Sequence, residues 1–296
     1  MKQLLLLWKF SRPHTLIGSF VSVTSLLFVA LAGEHPGLEL LPKYLLGLGA
    51  AVCCNIYITG LNQWSDVEVD RINKPWLPIP SGQLSSKGAM RIILVCLVLA
   101  LLLAMMLSFF FLALIGSIAV LGTVYSLPPF KLKRNHFFAA ATITLVRGVL
   151  VNIGFYVHYK MILNESVIPD TTIILLTLFV VLFSIGIAWF KDIPDTDGDK
   201  KFAFGTLPLL IGRRATFRLG VALLTMAYLI MMYAGFMQLL PNGNYYLVTH
   251  VILLLLFIVA ALSVKLSDSK SIKKFYLFFW VLFFLEYILY PLGLYV

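Results

Sequence analysis

The chain has 296 residues, of which 60% are hydrophobic and 12% are charged, and its formal net charge is +10. This composition is too apolar for a soluble globular domain and predicts a protein embedded in a lipid bilayer. The positive charge needs no nucleic-acid partner to explain it, because membrane topology and attraction to anionic lipid account for basic residues on one membrane face.

A helix needs about 20 apolar residues to cross the hydrocarbon core of a bilayer. In chain order, the runs of suitable length are residues 15–33, 44–62, 90–107, 109–127, 137–157, 172–190, 217–238, 245–264 and 275–296. The stretch 90–127 is long enough for two helices, with Ser108 as the turn between them. Because lipid offers no partner to an unpaired backbone group, the predicted fold class is all-α, a polytopic membrane protein of about nine helices.

The rest of the chain gives no sign of a leader or a second domain. The N-terminal stretch MKQLLLLWKFSRPH is not typical of a cleavable signal, because charged and proline residues directly follow its short apolar run. The three cysteines lie inside apolar runs without metal-ligand spacing and are expected to serve in packing. Without a tandem repeat, low-complexity tract or linker, residues 1–296 are expected to form one transmembrane domain.

The lysines and arginines predict the orientation of the helices, because basic residues accumulate in cytoplasmic loops. If the N-terminus is cytoplasmic, all 23 of them lie on that side except Lys43 and Lys160 outside and Arg147 within a helix. We therefore expect a cytoplasmic N-terminus and a C-terminus on the opposite side of the membrane.

The acidic residues are concentrated in two short segments, a first acidic segment at residues 62–70 and a second at residues 192–199. Together these contain seven of the 13 acids, namely Asp66, Glu68, Asp70, Asp192, Asp195, Asp197 and Asp199. Both segments follow predicted helices that end on the cytoplasmic side, so the two segments can meet over one pocket.

The first acidic segment has the spacing of a helix face. Asn62, Asp66 and Asp70 recur every four residues and stack on one face if the helix continues beyond the bilayer edge. Like charges at that spacing repel, and Mg²⁺ is the preferred positive partner because it favours carboxylate and phosphate oxygens. The alternative is a solvated helix end in which Asp66 and Asp70 pair with Arg71 and Lys74. A calcium loop of the EF-hand type does not fit DTDGD, because the closing glutamate is absent.

Several motifs together resemble the UbiA superfamily of intramembrane prenyltransferases. NQWSDVEVDRINKPWLPIPSG, and KDIPDTDGD followed by GTLPLLIG, are similar to the two aspartate-rich motifs of that family. FSRPHTLIGS, YSLPPFKLKR, LVRGVLVNIG and FFLEYILYPL extend the likeness over nearly the whole chain. Within the superfamily these stretches resemble the homogentisate prenyltransferases of tocopherol and plastoquinone synthesis, the phytyltransferases in particular.

The resemblance implies a set of helices around a central cavity, Mg²⁺ held by the two acidic segments, and a polyprenyl diphosphate whose tail lies in an apolar tunnel. By this resemblance, two sets of residues correspond to the metal- and diphosphate-binding motifs of the family. They are Asn62, Asp66 and Asp70 in the first segment and Asp192, Asp195 and Asp199 in the second. The family spelling DxxxD is satisfied by Asp195 and Asp199, so the place of Asp192 in the ligand set stays open. It further implies transfer of a phytyl or geranylgeranyl group to an aromatic acceptor, homogentisate, with decarboxylation.

The chemistry of such a transfer needs positive charge, because cleavage of an allylic carbon–oxygen bond releases pyrophosphate. Candidate contacts to the diphosphate are Arg12, Lys74, Lys131 and Lys191, with Tyr125 as a hydroxyl donor. Lys131 is the preferred contact to the phosphate, because the resemblance places it near the diphosphate. The spacing from Tyr125 to Lys131 is longer than in the YxxxK motif of the family, so the choice between Lys131 and Lys133 stays open.

Two charges are predicted at mid-span in the fifth and ninth helices. Arg147 and Glu286 lie about 11 and 12 residues from the cytoplasmic ends of these helices, or roughly 16–18 Å deep. A lone charge at that depth is unfavourable, so the preferred hypothesis pairs the two with each other. The alternative is that Arg147, with Asn152 below it, binds the carboxylate of the acceptor.

Other functions and acceptors stay open on the sequence alone. A cation-coupled transporter is expected to use acids near the midplane of the membrane, whereas seven of the 13 acids lie at one mouth. The chain could also be a membrane protein that binds lipid or diphosphate without catalysis, and only a demonstration of enzymatic turnover excludes this function. Within the superfamily, 4-hydroxybenzoate, a naphthoate and a chlorophyllide are alternative acceptors, and the length of the prenyl donor is undetermined.

Overall fold

The computed structural model describes residues 2–32 and 37–296. In chain order the helices are α1 (Lys2–Phe10), α2 (Pro13–Ala30), α3 (Leu40–Ser65), α4 (Val67–Asn73), α5 (Ser86–Met105), α6 (Phe109–Ser126), α7 (His136–Ile143), α8 (Val151–Ile162), α9 (Thr171–Asp192), α10 (Thr196–Lys201), α11 (Leu207–Ile211), α12 (Arg213–Phe236), α13 (Gly243–Leu262) and α14 (Ser269–Leu292). A π-helical turn at Thr144–Leu150 joins α7 and α8 into one span. Within the described residues nine helices are long and apolar enough to cross a membrane, which confirms the predicted number.

The observed helix bounds follow the predicted apolar runs to within a few residues at most ends. Ser108 separates α5 from α6 as expected, and its Oγ accepts a hydrogen bond of 3.0 Å from Phe111 N at the start of α6. The ninth span was predicted to begin at residue 275, but α14 already begins at Ser269, because its first turns are basic and extend beyond the apolar run. The predicted end of the first span, residue 33, lies outside the described residues.

Helix α1 was not predicted as a separate element. Its Leu4 and Trp8 side chains are exposed, whereas Phe10 is fully buried against Gly60 of α3. Gln63 Nε2 donates a hydrogen bond of 2.5 Å to the Phe10 carbonyl and ties the end of α1 to α3. A short helix with exposed apolar side chains at one end of the bundle is typical of a segment that lies in the membrane interface. This docking fixes the start of α2 beside α3.

The spanning helices are not equivalent in their packing. Helices α2, α3, α6, α7–α8, α9 and α14 surround a central cavity, while α5, α12 and α13 contribute none of its lining among the described residues. Phe183 of α9 and Phe279 of α14 stack with ring centroids 4.2 Å apart. Gly186 of α9 leaves room beside them for Leu224 of α12. This aromatic packing holds α14 against α9, and other residues of α14, including Trp280 and Phe283, border the cavity.

Candidate active site

A cavity of about 770 Å³ lies inside the ring of six spans. At one end it is bounded by the two acidic segments, which follow α3 and α9. Farther from this end the walls are apolar and aromatic, with Ile115 and Ile118 of α6, Phe155 of α8 and Phe283 of α14 in the lining. The cavity therefore has one charged end and one end suited to hydrocarbon and aromatic groups.

The first acidic segment keeps its helical spacing across a break in the helix. Helix α3 ends at Ser65 and α4 begins at Val67, so Asp66 lies between them. Hydrogen bonds from Asp66 N to Asn62 O, 3.1 Å, and from Asp70 N to Asp66 O, 2.7 Å, preserve the four-residue turn. As a result Asn62, Asp66 and Asp70 all line the cavity.

The second acidic segment divides its carboxylates between the cavity and solvent. Asp192 ends α9, while Asp195 and Asp199 lie at and after the start of α10, and all three line the cavity. The side chain of Asp197 is 88% exposed and lies 3.8 Å from Arg213. The segment thus presents to the cavity the three carboxylates expected there and turns the fourth away.

The end of α4 connects the two acidic segments. Asn73 Oδ1 accepts a hydrogen bond of 2.9 Å from Gly198 N, and its Nδ2 donates one of 3.4 Å to Asp199 Oδ1. A Cβ at Gly198 would lie 2.5 Å from Asn73 Oδ1, so only glycine permits this approach. Lys74 forms an ion pair with Asp195 across the same gap. The two segments therefore meet at one end of the cavity, as their shared side predicted.

Basic side chains surround the carboxylates at this end. Lys133 Nζ lies 2.7 Å from Asp66 Oδ2, and Lys131 Nζ lies 3.6 Å from Asp66 Oδ1. Arg12 Nη2 lies 3.7 Å from Asp70 Oδ2. These contacts hold the acids in place and keep positive charge at the same end of the cavity.

The connection between α6 and α7 determines which lysine reaches the cavity. Lys131 has a left-handed backbone, φ 42°, and precedes the 3₁₀ turn Leu132–Arg134. A bridge between Asn135 and Gly205 holds this turn beside the second acidic segment. Lys133 is buried and lines the cavity, whereas Lys131 lies outside the described lining. The left-handed residue thus directs Lys133 and not Lys131 into the described lining, and which of the two contacts the phosphate stays a prediction.

Tyr125 and Lys191 form a pair on the cavity wall. Lys191 Nζ donates a hydrogen bond of 2.8 Å to the Tyr125 hydroxyl and lies 3.7 Å from Asp192 Oδ1. Both side chains line the cavity. The pair therefore links α6 to the start of the second acidic segment.

Burial changes the pKa values of cavity groups that lie outside the membrane spans. It raises the pKa of Asp70 despite two nearby cations, and it raises the pKa of Asp199 to about 7. Burial also lowers the pKa of Lys133 to about 8, against the opposing effect of the Asp66 carboxylate. Additional positive charge stabilises the ionised form of a buried carboxylate. The charged end is therefore suited to binding a cation.

Arg147 and Glu286 do not pair with each other, so the hypothesis of a mid-span ion pair is wrong. Glu286 Oε1 lies 3.2 Å from His250 Nε2 of α13, outside the described cavity lining. The Arg147 guanidinium lines the cavity instead and lies over the Trp280 ring, with 4.8 Å between Cζ and the ring centroid. Asn152 is fully buried and is not part of the described lining, so the structure does not bring it to the cavity as a direct substrate contact.

The sequence as a whole matches a known family of membrane enzymes. The sequence profile of the UbiA prenyltransferase family matches residues 20–283. The chain belongs to this family. Homogentisate phytyltransferase from Synechocystis sp. is 40% identical to this UbiA protein over 291 residues, which covers 97% of this chain and 94% of that protein. Homogentisate phytyltransferase 1, chloroplastic, from Arabidopsis thaliana is 38% identical and covers 96% of this chain and 74% of that protein.

A solved structure shares the fold. A UbiA homolog from Archaeoglobus fulgidus bound to GPP and Mg²⁺ matches with a TM-score of 0.66, covering 98% of this chain and 99% of that chain at 16% identity. The family and the nine apolar helices of the described residues make the chain an integral, multi-pass membrane protein of the all-α UbiA fold. The chain is a prenyltransferase by family, and the cation-coupled transporter is not favoured.

The Mg²⁺ in the Archaeoglobus homolog raises the question of whether the UbiA site of this chain fits that ion. Asp66 Oδ1 and Asp70 Oδ2 are buried and have no hydrogen-bond partner among the described residues. Carboxylate oxygens are the ligands that Mg²⁺ prefers. In the described part of the chain, no group of three or more His, Cys, Asp or Glu could enclose a metal ion alone. The fit to Mg²⁺ therefore rests on the two unpartnered carboxylate oxygens, and water or substrate phosphate oxygens would have to supply further ligands.

Sequence reasoning missed several residues of the UbiA cavity. The sequence favours His14 as a helix-entry residue over a substrate contact, and the structure places it in the cavity lining with its ring 5.0 Å from the Trp280 ring in a T-shaped contact. Asn73 connects the acidic segments without having been predicted to do so, although its place in the first motif stretch was a usable signal. Trp280 had no such signal, because it is one aromatic residue among many on α14.

Proposed function

We propose that this UbiA protein transfers a phytyl or geranylgeranyl group from its diphosphate to homogentisate, with loss of the acceptor carboxyl group and with Mg²⁺ as cofactor. The observation that carries the proposal is the meeting of two acidic segments and several cations, of which Lys133 is buried, at one end of a cavity of about 770 Å³. The two phytyltransferases that are 40% and 38% identical to this chain support homogentisate as the acceptor.

The charged end is the proposed diphosphate site. The residues that would hold Mg²⁺ and the diphosphate bound to it are Asn62, Asp66, Asp70, Asp192, Asp195 and Asp199. Phosphate oxygens are expected to accept hydrogen bonds from the cations that line the cavity, which are Arg12, Lys74, Lys133 and Lys191. Lys131 adds positive charge behind Asp66, and the Tyr125 hydroxyl, held by Lys191, faces the same group. Each cation already contacts an acid or a hydroxyl, so its position is set before substrate binds.

The difficult step is departure of pyrophosphate, because negative charge grows on its oxygens as the allylic carbon–oxygen bond breaks. When bound, Mg²⁺ acts as a Lewis acid that neutralises part of this charge. Lys74 and Lys133 supply fixed positive charge at the same end, because ion pairs with Asp195 and Asp66 hold their ammonium groups. Preorganised charges in a site that contains little water stabilise a transition state more than mobile charges do.

The transfer balances with homogentisate as acceptor. The allylic carbon–oxygen bond of the donor breaks, and a carbon–carbon bond forms to an aromatic ring carbon. That carbon loses its proton, the acetate carboxylate leaves as CO₂, and the remaining methylene takes up one proton to become a methyl group. The products are pyrophosphate, CO₂ and a prenylated methylquinol, with no oxidant or reductant required.

The apolar part of the cavity protects the allylic cation from water. Phe155, Tyr276, Trp280 and Phe283 line this part, and a water molecule at the cation would convert the donor to a prenyl alcohol. Aromatic faces attract cations, so the same side chains can stabilise the reacting carbon. The prenyl tail is expected to follow the apolar wall away from the acidic segments.

We also propose that residues 1–296 form one transmembrane domain whose N-terminus and cavity mouth face the cytoplasm. The distribution of lysine and arginine supports this orientation, because Lys131, Lys133 and Lys191 lie at the charged end of the cavity. A thiol reagent that does not cross the membrane should label a cysteine introduced at Ser166 from outside intact cells. The same reagent should label one introduced at Ser267 only after the cells are opened, and the reverse result would invert the topology.

The function is tested with purified protein in lipid nanodiscs. Homogentisate labelled in its carboxyl carbon is supplied with phytyl or geranylgeranyl diphosphate and Mg²⁺, and prenylated product and labelled CO₂ are measured together. We expect the two in a ratio of one to one and no turnover after chelation of the metal. Preferential prenylation of 4-hydroxybenzoate, a naphthoate or a chlorophyllide would reject homogentisate as the acceptor.

A further inference from the structure

The span formed by α7 and α8 is interrupted by the π-helical turn at Thr144–Leu150. Asn152 Nδ2 donates hydrogen bonds of 3.1 Å to the carbonyl of Arg147 and of 2.7 Å to that of Gly148. The Tyr287 hydroxyl of α14 donates one of 2.7 Å to Asn152 Oδ1. π-Helical turns are rare and frequently occur at functional sites. Here the turn is tied through one asparagine to α14, which also lines the cavity.

The π-helical turn presents a charged donor that the protein leaves without a partner. Arg147 lines the cavity, and its Nη1 is buried with no hydrogen-bond partner among the described residues. No carboxylate in the described part of the chain lies within ion-pair distance of it, and Glu286, its expected partner, contacts His250. Trp280 Nε1 of α14 is likewise buried and has no hydrogen-bond partner within the described ranges. Two unsatisfied donors therefore border the same region of the cavity.

A buried guanidinium in a membrane protein requires compensation. Arg147 Cζ lies 4.8 Å from the Trp280 ring centroid and 5.7 Å from that of Phe283. Such cation–π contacts contribute about 2 kcal/mol when desolvated, less than the several kcal/mol needed to bury a charge. An anion that accepts hydrogen bonds from Arg147 and Trp280 would supply the missing contribution.

The position of these donors indicates which anion they bind. Arg147 and Trp280 each lie about 11 residues into their helices, counted from the end with the acidic segments, which corresponds to roughly 16 Å. The diphosphate is held at the acidic end, where other cations line the cavity. Around Arg147 the lining is aromatic, with Trp280, Phe283 and Tyr287. A carboxylate attached to an aromatic ring fits both the paired donors and these walls.

We propose that Arg147 and Trp280 form a subsite for the carboxylate of an aryl acid, and that Asn152 and Tyr287 are positioning residues that hold the π-helical turn so that Arg147 points into the cavity. The proposal rests on the function proposed above, since the carboxylate is that of the acceptor. It also gives Asn152 a role, because its amide supports the Arg147 carbonyl and does not touch the substrate. The carboxyl group is then fixed while the ring lies toward the diphosphate end.

The subsite is tested by binding and not by turnover. Protein in nanodiscs is saturated with an unreactive thiolo analogue of geranylgeranyl diphosphate, and dissociation constants are measured for homogentisate and for methylhydroquinone, which has a methyl group in place of the acetate. We expect the wild-type protein to favour homogentisate by roughly 100-fold, as for a buried charge pair. Arg147→Met should bring the ratio near one and leave the affinity for the donor analogue unchanged. Arg147→Lys keeps the charge but not the fork of donors and should recover part of the preference.

The positioning role has its own matched control. Tyr287→Phe removes the hydroxyl that donates to Asn152, while Tyr290→Phe removes a hydroxyl of the same helix that donates to Thr172 O at 2.6 Å, away from the cavity. Each variant loses one hydrogen bond. We expect Tyr287→Phe to lower the preference for homogentisate about tenfold, because its hydrogen bond supports Asn152, and we expect Tyr290→Phe to leave the preference unchanged. Equal effects of the two variants would reject the positioning role.

The outcomes separate this inference from the proposed function. Wild-type protein that prenylates homogentisate, together with an Arg147→Met variant that keeps the wild-type preference for it, overturns the subsite and leaves the function intact. Wild-type protein that binds homogentisate through Arg147 but transfers no prenyl group overturns the function and supports the subsite. If Arg147→Met unfolds at a much lower temperature, Arg147→Lys and Tyr287→Phe carry the test with the same two ligands.

Discussion

Each acidic segment contains one carboxylate that faces away from the cavity, which allows a matched test of the metal site. Asp66→Ala and Asp199→Ala remove carboxylates that line the cavity. Glu68→Ala and Asp197→Ala remove carboxylates from the same segments that are not part of the described lining. Each variant removes one carboxyl group from the same two segments, so a difference between the pairs reports the position of that group.

The expected sizes of the effects follow from burial. Asp66 and Asp199 are 9% and 5% exposed, whereas the side chains of Glu68 and Asp197 are 65% and 88% exposed. Loss of a carboxylate that holds the metal and the leaving group should remove about 3 kcal/mol of transition-state stabilisation, or roughly 100-fold in rate. Glu68 forms only an exposed ion pair with Arg71, which contributes about 0–1 kcal/mol to stability. Its loss should leave turnover within about twofold of the wild-type value.

The assay measures initial rates of prenyl transfer at saturating donor and acceptor over a range of Mg²⁺ concentrations. Asp66→Ala and Asp199→Ala should show lower maximal rates and should need more Mg²⁺ for half-maximal activity. Asp66→Ala should also lower the unfolding temperature, because it leaves Lys133 buried without its ion pair. The Mg²⁺ dependence therefore distinguishes loss of the metal site from loss of fold.

Two results would refute the two-segment metal site. Near-normal turnover of the double variant Asp66→Ala/Asp199→Ala would show that neither carboxylate is needed. Equal losses in the cavity-facing and solvent-facing variants would show that the rate follows net charge and not the arrangement at the end of the cavity.

Three further predictions concern residues whose roles the structure separates. Lys133→Met should raise the donor KM roughly tenfold or more and Lys131→Met only a few fold in steady-state kinetics, because Lys133 alone of the two lines the cavity; equal effects would contradict this assignment. Asn73→Ala should weaken donor binding about tenfold in titrations of the donor analogue, because the two acidic segments lose their bridge; an unchanged affinity would show that the bridge is dispensable. Glu286→Ala should lower the unfolding free energy by about 3–5 kcal/mol, because His250 loses its buried partner, while both KM values stay unchanged; a selective rise in acceptor KM would instead place Glu286 in the substrate site.

Much of the fold could be predicted because the bilayer imposes the length of each span. Ser108 is an example, since the apolar stretch 90–127 is too long for one helix and Ser108 is the polar residue at which a turn can divide it. The π-helical turn at Thr144–Leu150 could not be predicted, because its extra residue is stabilised by Asn152 and by Tyr287 from a helix far along the chain. Helix α1 was missed for a related reason, since its docking depends on Phe10 packing against Gly60.

The charged end of the cavity was predictable from topology, because two acidic segments that follow helices on the same side must lie at the same end of the bundle. The spacing also indicated that Asn62, Asp66 and Asp70 share a face. The choice between Lys131 and Lys133 was not available from spacing, because a left-handed residue reverses the direction of the chain before the 3₁₀ turn. Local backbone geometry therefore determined the cation that faces the cavity.

Arg147 and Glu286 show how the start of a helix changes a predicted depth. Because α14 begins at Ser269 and not at residue 275, Glu286 lies 17 residues into its helix, whereas Arg147 lies 11 residues after the start of α7, so their depths differ by roughly 9 Å. Counting residues gives the depth of a charge, since each adds about 1.5 Å, but neighbours depend also on rotation about the helix axis and on which helices are adjacent. The π-helical turn changes that rotation for Arg147, and α13 brings His250 to Glu286. Glu286 has a partner within the protein, which is why its removal should affect stability and not substrate affinity. Arg147 Nη1 has no hydrogen-bond partner among the described residues, and the same physical requirement that explains the pairing of Glu286 is the ground for the carboxylate subsite proposed above.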